Sequence, residues 1–187
     1  MNIPNTLTLL RIALIPVFVA VFYLPFSWAN ELATAVFFVA AVTDWLDGYL
    51  ARSLEQTSAL GSFLDPVADK LMVAVVLVLL VAAHPSPWMA LPAAVIVGRE
   101  ITISALREWM AELGARARVS VSMLGKVKTS AQMLALILLI YKDPLYDMPT
   151  YDIGFVCLYL AAALTLWSML LYLKAAWPEL KSGSHSK

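Results

Sequence analysis

Between residues 153 and 173 the chain carries no charged side chain, and a helix of about 20 such residues crosses the roughly 30 Å hydrocarbon core of a bilayer. In lipid such a segment must satisfy its own backbone, which leaves a helix or a closed barrel. Shorter apolar runs precede it at 12–24, 32–43, 71–83, 85–98 and 129–141. Each needs a further turn or more of flanking residues to span, and those flanks hold the charges. The spacing predicts an all-α integral membrane protein with six transmembrane helices. Connections are expected near 25–31, 53–60, 84–88, 107–125 and 142–152, with a polar tail from Glu179. Pro25, Pro85, Pro87, Pro144 and Pro149 fall in or beside these connections, where a missing backbone donor costs least.

Composition agrees. Residues are 61% hydrophobic and 14% charged, against roughly 25% charged in an ordinary soluble domain. Thirteen basic residues balance thirteen acidic ones, which gives no bias toward nucleic acid. The single Cys157 permits no disulfide framework and reads as core filler. One membrane domain is expected over residues 1–180, with a tail at 181–187 in which His185 reads as solvated.

Position matters more than the charge total. With the N-terminus in the cytoplasm, twelve of the thirteen Lys and Arg lie on the inner side or in inner helix ends, and only Lys142 faces outward. Both termini are then inside. A cleaved signal peptide is the alternative for the first segment, but the chain opens without a basic cluster, and cleavage would leave an odd number of helices against that asymmetry.

The same topology puts Asp44, Asp47, Asp65 and Asp69 at the inner ends of the second and third helices. Carboxylates within a span cost about 2.5–3.5 kcal/mol each on insertion scales, so they mark a wet, functional cavity. Asp44 and Asp47 are three residues apart and Asp65 and Asp69 four apart, so each pair projects from one helix face. Facing each other across a hairpin, the four charges demand neutralisation. Two divalent cations balance them formally, and oxygen-only donors favour hard ions such as Mg²⁺ or Mn²⁺. Zinc is disfavoured, because no histidine lies near and His84 falls at the far side. Gly48 and Gly61 permit close approach of backbone or ligand, and Arg52 can pair with a carboxylate or hold a phosphate. Packing and topology anchoring are the ordinary uses of each of these residues taken singly.

The combination is more specific. Asp44, Asp47, Gly48, Ala51, Arg52, Gly61, Asp65 and Asp69 fit the pattern D-x₂-D-G-x₂-A-R-x₈-G-x₃-D-x₃-D at every position. This resembles the signature of the CDP-alcohol phosphatidyltransferases. The resemblance implies six transmembrane helices preceded by a short interfacial N-terminal segment, usually in a homodimer of the inner membrane. It also implies that the four aspartates bind two metal ions, that an alcohol attacks the lipid-side phosphorus of a CDP-linked lipid, and that CMP leaves. Asp69 corresponds to the aspartate proposed in the family as general base. Lys70 points about a quarter turn away on a helix and receives no part.

Asn5, Thr8 and Arg11 form a polar stripe at i, i+3 and i+6 on an otherwise apolar helix start. Helix capping and interface anchoring explain such a stripe. It also resembles the family's N-terminal pattern, which approaches the nucleotide, and both readings stay open. With Gly48, Ala51, Arg52 and Gly61, the stripe is expected to contact the CDP-lipid.

The segment after the fourth span carries Arg107, Arg116, Arg118, Lys126 and Lys128. The positive-inside rule and anionic membrane lipid account for most of these charges. A basic pocket on the aspartates' side also suits an acceptor bearing a phosphate. The segments VTDWLDGYLAR, FLDPVADKLMVA, GREITISALREWMAELG and GKVKTSAQM are similar to bacterial members of the family that take sn-glycerol 3-phosphate as acceptor and CDP-diacylglycerol as donor. That resemblance runs from Asn2 to about Leu180. Arg118 and Lys126 are then the leading candidates for the acceptor phosphate, followed by Arg107 and Arg116. Arg99 and Glu100 are expected to form an internal ion pair, with a direct catalytic part as the alternative.

Three other readings compete. Serine or inositol as acceptor would not need the basic segment. A divalent-cation transporter would need polar groups continuing to the outer face, which the central and outer helix halves lack. A structural module using the carboxylates as a metal staple would bind metal without turnover.

Overall fold

The computed structural model describes the backbone at residues 3–53, 59–112, 123–145 and 147–182, and the side chains there except 3–4, 47–60, 62, 111–112, 123–126, 175–176 and 178–182; Gly61 is included. Six helices follow in order: α1 Ile3–Phe22, α2 Ala29–Ser53, α3 Ala59–Ala83, α4 Pro87–Glu112, α5 Met123–Tyr141 and α6 Thr150–Ser182. The only β pairing among the described residues is an isolated bridge between Leu145 and Met148. Five helices are long and apolar enough to cross a membrane, whereas the apolar stretch of α5, Val127–Tyr141, is shorter. Val78, Ile101 and Leu160 are more than half exposed in mid-helix, as lipid-facing side chains are. The protein is a multi-pass membrane protein.

Some boundaries differ from those expected. The N-terminal segment is not a separate element among the described residues, because Ile3–Phe22 is one uninterrupted helix. α4 continues past Arg107 to Glu112, and α6 past Glu179 to Ser182. Loss of apolarity sets where a span leaves the lipid, but backbone hydrogen bonds can carry a helix on into water.

The chain divides into two compact units. The first comprises Met1–His84 and Leu136–Gly154. Here α1 packs against both α2 and α3. Ala29, Ala33, Phe37 and Ala40, spaced four, four and three apart, form the buried stripe of α2. Such small residues let helices approach closely where lipid gives no hydrophobic drive. Phe18 of α1 lies against Phe37, ring centroids 6.3 Å apart. At the other end of this unit, Lys142 terminates α5 with a left-handed φ of 63°, and the Thr150 hydroxyl donates to the Asp143 carbonyl at 2.5 Å. A methyl on Gly154 would come within 2.9 Å of the Leu138 side chain, so only glycine fits that crossing.

The second unit comprises Pro85–Ala135 and Phe155–Lys187. Ser86 caps α4, its hydroxyl accepting from the Met89 amide at 3.2 Å, and Pro87 follows at the first helical position. Pro92 inside α4 cannot donate to the Trp88 carbonyl one turn back. The hydroxyl of Tyr159, from α6, donates to that carbonyl instead, at 2.8 Å.

Candidate active site

In the first unit the site is assembled by α1. Thr8 and Arg11, one turn apart, are buried, at 0% and 1% exposure. The Thr8 hydroxyl donates to Oδ1 of Asp65 on α3, and Arg11 Nη1 forms an ion pair with Oδ1 of Asp44 on α2 at 2.7 Å. One face of α1 therefore gathers the leading aspartate of each expected pair. A hydroxyl and a guanidinium are costly to bury unless paired, so the α1 stripe can pack inward only against acceptors. Asp69 lies one turn beyond Asp65 on α3 and is half-buried, as is Asn5 in the first turns of α1. Gly61 is buried near the start of α3.

The backbone of Asp47, Gly48, Ala51 and Arg52 continues α2, but their side chains lie outside those described. Among the described residues no group of three or more His, Cys, Asp or Glu is arranged to hold a metal ion, and Asp47 is not among them. The donor chemistry that is visible, carboxylate oxygens on two helices tied to a third, suits a hard cation.

The second unit carries a cluster of the opposite sign. Glu100 Oε1 accepts from Arg99 Nη1 at 2.6 Å and from Lys128 Nζ at 2.9 Å, and Arg99 Nη2 donates to Ser168 Oγ at 3.2 Å. The cluster joins α4, α5 and α6. The expected Arg99–Glu100 pair is present. Lys128, only 5% exposed, joins this pair, a place that its charge alone does not reveal. Its place was readable from a repeat: Lys128, Gln132 and Ala135 are all buried at spacings of four and three. On α4 the series Met89, Ala93, Ile96, Glu100, Ile103, Arg107, Met110 alternates four and three, so half-buried Glu100 and exposed Arg107 fall on the row of its buried residues. Leu158, Ala161, Thr165, Ser168 and Tyr172 do the same on α6.

Arg107 lies on α4 rather than in a loop. Its Nη2 donates to the Tyr172 hydroxyl at 3.2 Å, and the guanidinium lies 5.5 Å from the centroid of that ring. Lys126 falls in the first turn of α5 with its side chain outside those described, and Arg116 and Arg118 lie outside the described residues.

Comparison with known proteins agrees with the signature. The family model for CDP-alcohol phosphatidyltransferase matches residues 1–167. A protein of Pseudomonas fluorescens named CDP-diacylglycerol–glycerol-3-phosphate 3-phosphatidyltransferase is 58% identical over 97% of this chain and 93% of its own length. Proteins of the same name from Pectobacterium atrosepticum and Sodalis glossinidius are 57% and 56% identical, each over 96% of this chain and 97% of their own length. With the aspartate signature on α2 and α3 and a match over most of its length, this chain belongs to the CDP-alcohol phosphatidyltransferase family.

Proposed function

We propose that this protein transfers the phosphatidyl group of CDP-diacylglycerol to sn-glycerol 3-phosphate, giving phosphatidylglycerophosphate and CMP in anionic phospholipid synthesis. The observation that carries the proposal is near-full-length identity of 56–58% to relatives named for that reaction. The gathering of Asp44 and Asp65 on α1 supports it from the geometry.

In this reading Asp44, Asp47, Asp65 and Asp69 hold two divalent cations, Mg²⁺ or Mn²⁺. When bound, such ions neutralise the pyrophosphate and stabilise the departing oxygen. Asp69 takes the proton of the acceptor hydroxyl as its oxygen forms a bond to the lipid-side phosphorus and the bond to CMP breaks. Asn5, Thr8, Arg11, Gly48, Ala51, Arg52 and Gly61 line the CDP-lipid site. Arg118 and Lys126, with Arg107 and Arg116, receive the acceptor phosphate. Arg107 has Tyr172 to fix its guanidinium in one orientation, which suits it to that task.

Residues 1–180 work as one membrane domain. The protein acts as a homodimer in the bacterial inner membrane, with both termini and the active site on the cytoplasmic side. The test is CMP release by the purified protein from CDP-diacylglycerol with a panel of water-soluble alcohols. Release should require Mg²⁺ or Mn²⁺ and glycerol 3-phosphate. Transfer to serine or inositol instead would overturn the acceptor assignment.

A further inference from the structure

The Arg11–Asp44 pair is asymmetric. The Arg11 side chain is 2% exposed and that of Asp44 is 42% exposed. The guanidinium therefore reaches the carboxylate from the buried side, on Oδ1, and leaves the carboxylate accessible from its open side. If Asp44 also ligates a cation, one carboxylate serves two positive partners. Arginine does not lose its proton in a protein, so its charge cannot be removed to make room.

From this we propose that Arg11 is a positioning residue that doubles as a built-in competitor for the metal: it orients Asp44 while weakening the site's grip on divalent ions. The proposal rests on the metal-binding reading above. Its physical basis is that like charges sharing one ligand repel, and more strongly where burial lowers the effective dielectric constant. Thr8 supplies the contrast one turn away. It orients Asp65 with a neutral hydroxyl and so carries no such penalty. The family's chemistry gives the competition a use: a site that binds ions weakly by itself fills most readily when an anionic pyrophosphate is present to share them.

The test is Mn²⁺ binding to the full-length protein in detergent without lipid substrate, read by electron paramagnetic resonance of free ion. Arg11→Gln should bind Mn²⁺ at least tenfold more tightly than the parent chain. Arg11→Lys, which keeps the charge, should stay within about threefold of it. Circular dichroism and thermal unfolding of each variant exclude misfolding as the source of a change, and Arg11→Met serves as a second neutral variant. Unchanged or weaker Mn²⁺ binding by folded Arg11→Gln and Arg11→Met, with the parent chain binding normally, overturns the competitor role alone. Absence of Mn²⁺ binding by the parent chain and by both neutral variants overturns both this inference and the metal-binding reading.

Discussion

The two charged clusters are near mirror images. Around α1, two carboxylates, Asp44 and Asp65, meet one guanidinium and one hydroxyl. Around α4, two cations, Arg99 and Lys128, meet one carboxylate and one hydroxyl. Each cluster ties helices through an ion pair, and the described side chains named leave an excess of one sign in each. The tie accounts for cohesion between helices. On the proposed function the acidic cluster would take cations, and the basic one belongs to the unit whose helices lead into the candidate phosphate-binding residues. An apolar core could have provided the cohesion without either excess.

The comparison can be broken at several points. The largest effect is expected at Asp69→Asn, which should lower CMP release by about 10²–10⁴-fold, the usual contribution of a general base. Mn²⁺ binding should be largely kept, because an amide oxygen can still ligate. Normal turnover would remove Asp69 as the base.

Next comes Glu100→Ala, which leaves buried Lys128 and half-buried Arg99 without their shared carboxylate. A loss of about 3–5 kcal/mol is expected, seen as a large drop in the unfolding midpoint in detergent. A neutral result would mean that the basic cluster does not tie its helices together.

Arg118→Ala should raise the KM for glycerol 3-phosphate by about 10–100-fold, corresponding to one charge-assisted hydrogen bond of about 1.5–3 kcal/mol. CDP-diacylglycerol use should change little. An unchanged KM would return Arg118 to a purely topological role.

The smallest effect belongs to His84, at the end of α3 away from the aspartates. Burial first, and then the nearby Lys142, hold its pKa below the usual histidine value. The folded protein therefore binds this proton less readily than the unfolded chain does. Stability from His84 is present above about pH 6.5 and is lost as pH falls from there toward the depressed folded value. His84→Gln should flatten the acid-side decline of the unfolding midpoint between about pH 7 and 5, and an unaltered slope would discount the histidine.

Much of the function was legible because its residues are close in sequence. Asp44 to Asp69 span two helix ends and one connection, so their spacing alone displays the signature. Arg107 was misplaced into a loop because apolarity was taken as the measure of helix length, whereas the four–three stripe through Glu100, Arg107 and Met110 continues regardless of polarity. Lys128 was hidden for a related reason: a basic residue near an inner helix end satisfies the positive-inside rule whether or not it is buried in a cluster.

The sequence by itself determined a helical membrane protein, its family and where the signature aspartates fall along the chain, because hydropathy and fixed spacing are local properties of the chain. Only the tertiary structure decided that Arg11 and Thr8 address Asp44 and Asp65, and that Glu100 is shared by Arg99 and Lys128. Those contacts depend on how each helix is rotated about its axis against its neighbours. That rotation is settled by packing of side chains far apart in sequence, such as Phe18 on Phe37.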